Sequence, residues 1–329
     1  MTILVTGAAG FIGFHVARAL LARGEKVFGI DNLNDYYDVD LKHRRLLSLR
    51  ESPDFTFEKI DIADHGTMEK LPARLPDLDR VVHLAAQAGV RYSLVNPYAY
   101  VRSNVDGHLT VLEMCKRIEG LKHLVYASSS SVYGGNTKLP FAVEDRVDRP
   151  VSIYAATKKS VELMSHAYSH LFGIPQSGLR FFTVYGPWGR PDMAAFIFTR
   201  RILADQPIQV FNNGKMRRDF TYIDDIVAGV LGCLDHPPVA TADGGPPNRV
   251  YNLGNHRSET LLDFIAVIER ALGKKAILDP QPMQPGDVPE TFADIGPAER
   301  DFGFQPKTRI DEGIPRFIQW YKEHYRPNG

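Results

Sequence analysis

The chain reads TGAAGFIG at residues 6–13, directly after an apolar run that predicts a buried strand over residues 1–6. The glycines Gly7, Gly10 and Gly13 have the spacing G-x-x-G-x-x-G, and apolar residues at helical spacing follow through Leu21. Glycine permits a tight strand-to-helix turn and a close approach of the backbone to a pyrophosphate, which the free N–H groups of the helix N-terminus bind. The spacing indicates a dinucleotide-binding turn, although such a turn also serves the plain packing of a helix against a strand.

The side chain of Asp31 indicates which dinucleotide is bound. It lies eighteen residues after Gly13, at the end of a second apolar strand predicted over Lys26–Ile30. A carboxylate there accepts hydrogen bonds from the ribose hydroxyls and repels a 2′-phosphate, so NAD is favoured over NADP. Taken alone, Asp31 could cap a helix or a turn, but beside the glycine turn the ribose contact is favoured.

Further residues predicted to contact NAD follow the next strands. Asp61 and Ile62 end the third predicted strand, where the adenine would lie, and an ordinary loop position explains Asp61 almost as well. Small residues after the fourth strand suit a backbone pressed against the cofactor, or plain packing. The full predicted set is Gly7, Gly10, Phe11, Ile12, Gly13, Asp31, Asn32, Asp61, Ile62, Leu84, Ala85, Ala86, Tyr154 and Lys158.

The order of strands and helices predicts an α/β protein with a doubly wound parallel Rossmann sheet. Strands predicted at 1–6, 26–30, 55–60, 80–84, 123–127 and 176–182 alternate with helices, which include 41–50, 101–116 and 154–171. The alternation then breaks, and long Pro/Gly-rich loops appear at 185–191, 236–248 and 279–289. We therefore predict an NAD-binding domain over 1–180 and a smaller substrate domain over 181–329, some segments of which return to the first domain.

The pair Tyr154 and Lys158 places a phenol and an ammonium on one face of a predicted helix. A free phenol, with a pKa of about 10, is a poor base at neutral pH, but an adjacent ammonium and an oxidised nicotinamide lower that pKa. Serines at 128–131 follow the fifth strand, at the sheet edge where ligands bind. Taken alone, the spacing of Tyr154 and Lys158 is better explained as two neighbouring side chains on the surface of a helix. Together with the other two motifs it indicates removal of a proton from a hydroxyl whose carbon loses a hydride.

With these motifs the chain resembles the extended short-chain dehydrogenase/reductase superfamily over nearly its whole length, and more narrowly its nucleotide-sugar 4-epimerases. The resemblance implies a catalytic serine 25 residues before the tyrosine, which is Ser129. It further implies that Tyr154 is the base, that Lys158 is its electrostatic and ribose-binding partner, and that NAD stays bound while it is reduced and reoxidised. It also implies a homodimer joined through the helices at 101–116 and 154–171.

A closer resemblance to UDP-glucuronate 4-epimerases indicates the substrate, and it is carried by DYY at 35–37, QAGVRYS at 87–93 and LRFFTVYGPWGRPDM at 179–193. Related dehydratases and decarboxylases have an acidic residue where this chain has Ser131, and UDP-galactose 4-epimerases have asparagine where it has Thr183. A uronate carboxylate needs hydroxyls and a guanidinium, which Ser131, Thr183 and Arg190 would supply, with Arg91 as the next candidate. Purely structural roles for Thr183 and Arg190 are the alternative.

The resemblance also implies a nucleotide subsite. Arg218 matches the arginine that binds the diphosphate, Gln209 and Phe211 match positions that flank the uracil, and Asp287 matches the acidic residue near the uridine ribose. The galactose enzymes have a further arginine shortly before the Gly-Asp pair, where this chain has Met-Gln at 283–284. The sequence therefore identifies one diphosphate contact and leaves the second open.

The composition argues against other classes of protein. Lys+Arg and Asp+Glu number 39 each, and a zero net charge is unlike that of proteins that bind nucleic acids or membrane surfaces. The histidines and cysteines show no metal-ligand spacing, so we expect no metal site, and His83 is interpreted as a core residue. Cys115 and Cys233 lie far apart in apolar helical patterns, which predicts buried, reduced thiols. The first residues do not have the pattern of a secretory leader, so we expect a cytoplasmic protein.

Together these features predict the reversible C4 epimerisation of UDP-glucuronate to UDP-galacturonate by an NAD-dependent enzyme. One alternative is a 4-epimerase of neutral UDP-hexoses or their N-acetyl forms. The other is a non-catalytic NAD-binding scaffold or sensor. The set of Ser129, Tyr154 and Lys158 argues against the scaffold, because a protein that only binds NAD has no physical need for all three.

Overall fold

The computed structural model describes residues 1–284 and 286–325. The strands are β1 (Thr2–Thr6), β2 (Lys26–Asp31), β3 (Phe55–Lys59), β4 (Leu78–His83), β5 (His123–Ser129), β6 (Gln176–Phe181), β7 (Thr183–Tyr185), β8 (Ile208–Phe211), β9 (Arg217–Arg218), β10 (Phe220–Tyr222), β11 (Asn248–Leu253), β12 (Glu259–Thr260) and β13 (Leu278–Gln281). The helices are α1 (Phe11–Ala22), α2 (Val39–Leu49), α3 (His65–Arg74), α4 (Tyr92–Val95), α5 (Pro97–Tyr100), α6 (Gly107–Cys115), α7 (Ile153–Phe172), α8 (Ala194–Leu203), α9 (Ile223–Asp235), α10 (Leu261–Leu272), α11 (Gly296–Phe302) and α12 (Ile310–His324).

Within the described residues, seven strands form one parallel sheet in the order β11-β6-β5-β4-β1-β2-β3. The chain proceeds from β1 to β3 in one direction, then returns to the other side of β1 and continues from β4 outward. This is the doubly wound parallel sheet that the sequence predicts. The reversal leaves a crevice at the carboxyl ends of β1 and β4, which is where open α/β sheets bind their ligands.

Alternate residues of the central strand face opposite layers of the protein. Ile3 and Val5 are fully buried on the side of α1 and α9, whereas Leu4 is fully buried on the side of α3 and α6. Successive side chains of a strand point to opposite faces, so a strand covered on both sides is apolar throughout. Both faces of the sheet are therefore closed by helices, and its carboxyl edge remains open for a ligand.

The later part of the chain builds small sheets beside this edge. In the described ranges, β7 pairs with β10 and β8 with β13, both in parallel, and β9 pairs with β12 antiparallel. Strand β11 instead pairs with β6 in the large sheet, and α9 packs against α1. The structure thus places 223–235 and 248–253 with the first 180 residues, and the domain boundary at residue 180 stays a prediction.

The helix predicted over 101–116 differs at its start, because Val101–Asp106 is π-helical and α6 begins only at Gly107. This segment carries the buried Asn104, whose side chain accepts a hydrogen bond from Gln87 N at 2.8 Å and donates to Gln87 O at 3.0 Å. The π-helical turn therefore places Asn104 where it can bond both the N–H and the C=O of Gln87, in the loop after β4. The residue spacing of the helix does not predict this contact.

Many elements that the sequence does not predict are also present, and two of them, α3 and β13, oppose a local signal. Helix α3 is polar and contains Pro72, so its apolar pattern is weak, but Asp64 caps it by accepting a hydrogen bond from Thr67 N at 3.2 Å. Strand β13 overlaps the start of the loop predicted at 279–289, where Pro280 argues against a strand. Its pairing with β8 at the edge of a small sheet overrides that local preference.

We expect Gly13→Ala to lower the free energy of unfolding by about 1–3 kcal/mol, the usual effect of overpacking. An alanine Cβ at this position would lie 2.0 Å from the carbonyl oxygen of Gly7 and 3.2 Å from Ala8 Cα, and neither atom belongs to a flexible side chain. Denaturant unfolding measures the change. Gly66→Ala is the matched control, because the nearest atom to its Cβ is Asp64 Oδ1 at 3.8 Å. Equal stability of Gly13→Ala and the wild type would contradict the prediction.

Candidate active site

A deep cleft opens at the carboxyl edge of the sheet and is bounded by the glycine turn, the ends of β2, β4 and β5, helix α7 and the segment 181–193. Most residues predicted to contact the dinucleotide line it. These are Gly7, Gly10, Phe11, Ile12, Gly13, Asp31, Asn32, Ile62, Leu84, Ala85, Ala86, Tyr154 and Lys158. Asp61 lies outside the lining, and its carboxylate accepts hydrogen bonds from Arg102 Nη2 at 3.1 Å and Ala63 N at 2.9 Å.

The glycine turn has the geometry of an anion site. Gly7 has a φ of 71°, and a Cβ on it would lie 2.8 Å from Ala85 N. Helix α1 begins after Gly10 with no side-chain cap and no acidic residue in its first turn. Its first N–H groups, together with the positive end of the helix dipole, are therefore available to a pyrophosphate in the cleft.

Asp31 lies at the end of β2 beside this turn. Burial raises the pKa of its carboxyl group, while hydrogen bonds from Leu33 N at 2.8 Å and Ala9 N at 3.2 Å and the positive charges of Lys42 and Arg45 oppose that change. A carboxylate supported in this way can accept hydrogen bonds from two ribose hydroxyls. The glycine turn, with the free N–H groups at the start of α1, fits the pyrophosphate of nicotinamide adenine dinucleotide, and the carboxylate of Asp31 fits its adenosine ribose.

Ser129, Tyr154 and Lys158 come together deeper in the cleft. Ser152 caps α7 by accepting a hydrogen bond from Ala155 N at 3.1 Å, so Tyr154 lies in the first turn and Lys158 one turn later. Lys158 Nζ donates to the carbonyl of Ala127 on β5 at 2.8 Å. Ser129, at the end of the same strand, has its Oγ 2.8 Å from Ser131 Oγ. The helix cap and β5 together set the positions of the three groups.

The electrostatics of this group differ in one respect from the expectation. Burial raises the pKa of Tyr154, and the groups that oppose this are the hydroxyl of Ser129 and the charge of Arg190. Sequence reasoning assigns that role to Lys158, but Lys158 Nζ is bound to the carbonyl of Ala127. Burial lowers the pKa of Lys158 to about 8, which the nearby Glu162 carboxylate opposes.

A buried ion pair anchors α7 one turn beyond Lys158. Glu162 Oε1 accepts from Arg180 Nε at 2.8 Å and from Ser128 Oγ at 2.7 Å, and its Oε2 accepts from Arg180 Nη2 at 2.9 Å. Although burial acts to raise the pKa of Glu162, its bonds to Arg180 keep that pKa below the usual value. The pair joins α7 to β5 and β6, so the helix cannot shift without breaking a buried, hydrogen-bonded charge pair.

Ser131, Thr183 and Arg190 also line the cleft that holds Ser129, Tyr154 and Lys158. Arg190 is held by a residue that sequence reasoning missed, since its Nε and Nη2 donate to the carboxylate of Asp192 at 3.0 and 2.5 Å. Tyr36 donates to the same carboxylate at 3.1 Å. These bonds orient the guanidinium and leave its Nη1 hydrogens for another anion.

The residues predicted for the nucleotide do not line this cleft. They form a separate group at its rim together with Arg91, the alternative candidate for the carboxylate, which follows the lining residue Val90. The guanidinium of Arg91 lies 4.4 Å from the Phe211 ring centre, and its Nη2 lies 3.2 Å from Asp287 Oδ2. Burial lowers the pKa of Arg218, while Asp287 raises it and Arg91 lowers it further, so these charges lie near one another. Gln209 is exposed on the same face of β8 as Phe211, two residues along the strand.

Other residues of the cleft were assigned no role from the sequence, although some of them lie in the motifs at 35–37, 87–93 and 179–193 that carry the resemblance. Their side chains come from several loops, so only their place in the fold brings them to the ligand. They include Asn34, Tyr36, Tyr37, Lys42, Gln87, Ser103 and Met193. In the two described ranges, no group of three or more His, Cys, Asp or Glu side chains is arranged to hold a metal ion. Among these same residues, no helix is both long and apolar enough to cross a membrane.

Comparison with known proteins identifies the family. The model of the NAD dependent epimerase/dehydratase family matches residues 3–254. The chain belongs to this family. It is 49% identical to UDP-glucuronate 4-epimerase 2 of Arabidopsis thaliana over an alignment of 338 positions, which covers 100% of this chain and 77% of that protein. It is 46% identical to the probable UDP-glucuronate 4-epimerase of Rhizobium meliloti (strain 1021), with 99% of this chain and 98% of that protein covered.

A solved structure of this kind is also similar. The UDP-glucuronic acid 4-epimerase from Bacillus cereus, in complex with UDP-glucuronic acid and NAD, superposes with a TM-score of 0.89 at 37% identity. The match covers 98% of this chain and 99% of that one. The predicted Rossmann fold and membership of the epimerase family are thus confirmed, and the dependence of the family on NAD agrees with the predicted cofactor. The individual contact residues stay predictions.

Proposed function

We propose that this protein is an NAD-dependent UDP-sugar 4-epimerase that interconverts UDP-glucuronate and UDP-galacturonate. The observation that carries the proposal is that one cleft holds both the group of Ser129, Tyr154 and Lys158 and the donors Ser131 and Arg190. The first group suits oxidation and reduction at a carbinol carbon, and the second suits a carboxylate two carbons away. The relatives from Arabidopsis, Rhizobium and Bacillus carry this activity in their names.

In the proposed reaction, the glycine turn and Asp31 would hold NAD, which would supply the acceptor and donor for the hydride of C4. Tyr154, as phenolate, takes the proton of the 4-hydroxyl, and Ser129 donates a hydrogen bond to the same oxygen. The hydroxyl of Ser129 and the charge of Arg190 favour the phenolate, and Lys158 would add a further positive charge to the same cleft. Tyr154 then returns the proton after the sugar has presented the opposite face of C4. The rim residues Arg218 and Phe211 would hold the nucleotide while the sugar turns.

A uronate makes an additional demand on the site. A ketone at C4 makes the sugar a β-keto acid, which tends to lose carbon dioxide. The loss requires the bond between C5 and the carboxylate carbon to align with the carbonyl π system. Donors that hold the carboxylate in another orientation therefore protect the intermediate. Ser131 and Thr183 are short donors and Arg190 is held by Asp192, so all three suit this task.

We expect the purified protein to convert UDP-glucuronate to UDP-galacturonate and to leave UDP-glucose and UDP-N-acetylglucosamine largely unchanged. Products are resolved by NMR after each substrate is supplied alone. We expect Tyr154→Phe to reduce the rate by about 10²–10⁴-fold, because it removes only the ionisable oxygen. Lys158→Met should also be slow, with its optimum at higher pH, since the phenol loses a cationic neighbour.

The matched control is Tyr168→Phe, which changes an α7 tyrosine whose hydroxyl donates to Glu113 outside the cleft. It should keep the wild-type rate. Faster turnover of the neutral hexoses would replace the proposal with the alternative epimerase. A protein that binds NAD but changes none of the three sugars would indicate a scaffold. Near-full activity of Tyr154→Phe would contradict the mechanism.

We expect Thr183→Val and Ser131→Ala to slow epimerisation and to release UDP-4-keto-pentose, the product of carbon dioxide loss. Both variants remove one donor at nearly constant volume, so the carboxylate gains freedom to align for decarboxylation. Arg190→Ala should chiefly impair uronate turnover relative to any neutral hexose. The measurement is the ratio of keto-pentose to UDP-galacturonate by mass spectrometry. If all three variants keep the wild-type rate and ratio, the carboxylate binds elsewhere and Arg91 is tested next.

We further propose a cytoplasmic homodimer joined through the two helical segments predicted for it. Large apolar side chains on α6 and α7 are exposed, among them Leu109, Leu163 and Leu171. The two helices pack beside each other, so a second copy could cover both at once. Cys115 and Cys233 are buried free thiols, the form that a reducing cytoplasm maintains.

The dimer is tested with Leu163→Glu, which should produce a monomer in sedimentation velocity because it buries a charge in the proposed interface. Leu163 is 59% exposed in the single chain. The matched control is Leu47→Glu on α2, whose side chain is 62% exposed and lies outside the proposed interface. A wild-type monomer at micromolar concentration would contradict the proposal, as would a Leu163→Glu variant that remains a dimer.

A further inference from the structure

The segment 186–190, which ends at the guanidinium proposed for the substrate carboxylate, has no strand or helix of its own. Its carbonyls are instead bonded by side chains from the other half of the cleft. His15 Nε2 on α1 lies 2.9 Å from Pro187 O, and Arg45 Nη2 on α2 donates to Trp188 O at 2.5 Å. The same nitrogen lies 3.5 Å from Gly189 O. Three consecutive carbonyls thus depend on α1 and α2.

The donor role of His15 follows from its surroundings. Burial lowers the pKa of the ring to about 3, so the imidazole is neutral. Its Nδ1 lies 3.2 Å from Arg18 Nη2, which can only donate, so Nδ1 accepts and Nε2 carries the hydrogen. His15 therefore donates a hydrogen bond to the carbonyl of Pro187 at any pH near neutrality.

Arg45 connects this segment to the glycine turn. Its Nη1 donates to Ala9 O at 2.8 Å, while its Nη2 donates to Trp188 O. Nη1 also donates to the hydroxyl of Tyr37 at 2.8 Å. One guanidinium therefore spans from a carbonyl inside the dinucleotide turn to a carbonyl two residues before Arg190.

The environment of Arg45 is unusual for an arginine. The side chain is fully buried, and the oxygens that it contacts, three backbone carbonyls and one phenol, are all neutral. A buried cation costs desolvation free energy that neutral acceptors repay only in part. An apolar side chain here would leave these carbonyls without their donor, and the charge of Arg45 also acts on the nearby carboxylate of Asp31. The guanidinium therefore serves the backbone of both segments and does more than fill space.

The segment that Arg45 holds also has an unfavourable backbone. Trp188 has a φ of 61°, a left-handed conformation that bulky residues rarely adopt. Its ring packs against Phe14 of α1 at 5.3 Å and Trp320 of α12 at 5.5 Å between ring centres. The conformation of this segment is therefore imposed by its neighbours, and Arg45 is the neighbour that also contacts the cofactor turn.

We propose that Arg45 is a positioning residue that fixes Arg190 relative to the dinucleotide turn, so that the carboxylate and C4 of the substrate are held in register with the cofactor. The catalytic consequences rest on the proposed function, while the bridge itself does not. Because Arg45 touches neither reacting group, its effect passes through the backbone of 186–190. The carboxylate subsite and the cofactor turn then act as one rigid unit.

The test compares Arg45→Met with Arg44→Met. Arg44 is the adjacent residue on α2, but its side chain is 47% exposed and pairs with Asp40. Amide hydrogen exchange, followed by mass spectrometry on the protein as purified, reports the order of 186–193 without any turnover. We expect faster exchange in this segment for Arg45→Met and wild-type exchange for Arg44→Met, with α7 unchanged in both.

Steady-state kinetics then separate positioning from simple support of the fold. We expect Arg45→Met to raise the KM for UDP-glucuronate by about tenfold or more, since small displacements of a binding group have large effects. It should also increase the fraction of UDP-4-keto-pentose, while the Kd for UDP measured by calorimetry stays unchanged. A uniform loss of active protein would move neither the KM nor the product ratio.

Arg45→Lys completes the test and serves if the methionine variant does not fold. A lysine keeps the charge, but its single ammonium cannot reach the carbonyls of Ala9 and Trp188 together. We therefore expect Arg45→Lys to restore the exchange of 186–193 and the KM for UDP-glucuronate only partly toward the wild-type values. Full recovery with lysine would overturn the bridging role, as would wild-type exchange in 186–193 for Arg45→Met. If the wild type does not epimerise UDP-glucuronate, the proposed function fails, and the exchange experiment still decides the bridge.

Discussion

The rest of the structure depends on the contact between the turns that follow β1 and β4. The hydroxyl of Thr6 lies 2.7 Å from His83 Nδ1 and accepts a hydrogen bond from Ala85 N at 3.1 Å, which joins the ends of the two strands. A Cβ on Gly7 would collide with the backbone of Ala85, so the turns meet at the level of the main chain. This is where the strand order reverses, and its spacing sets the width of the crevice that every functional group faces.

Within that crevice, the chemistry requires ionisable groups in a place that disfavours charge. Burial shifts the pKa of Lys158 down and that of Tyr154 up, each in the direction that favours its neutral form. The protein counters this with the Glu162 carboxylate, itself held ionised by Arg180, and with the hydroxyl of Ser129. Perturbed pKa values with identifiable charge partners in a cleft are typical of groups that transfer protons.

Recognition of a substrate carboxylate by the proposed Arg190 subsite would be a competition between anions. Arg190 already pairs with Asp192, and Tyr36 donates to that aspartate, so the subsite is close to neutral before a substrate enters. A substrate carboxylate therefore gains less from net charge than from the geometry of the donors that remain. Selectivity for the uronate would then be the difference in free energy between Arg190 paired only with Asp192 and Arg190 also bound to the substrate carboxylate. That difference depends on how rigidly the guanidinium is held.

The sequence by itself determined the elements whose signals are local. The glycine spacing predicted the strand-to-helix turn at the cleft, alternation of apolar strands and helices predicted the doubly wound sheet, and the Tyr154–Lys158 spacing predicted two groups on one helix. These predictions succeed because tight turns, helix faces and buried parallel strands each need particular residues at short, regular intervals.

Only the tertiary structure decided which distant residues meet. It brought Tyr36 against Asp192, placed Asp61 outside the cleft, directed Lys158 to a strand carbonyl and brought Arg45 from α2 against the carbonyl of Trp188. None of these contacts has a repeating spacing, because each joins loops or elements far apart in the chain. They arise when buried polar groups find partners during packing, and that requirement is satisfied by the fold as a whole and leaves no local pattern in the sequence.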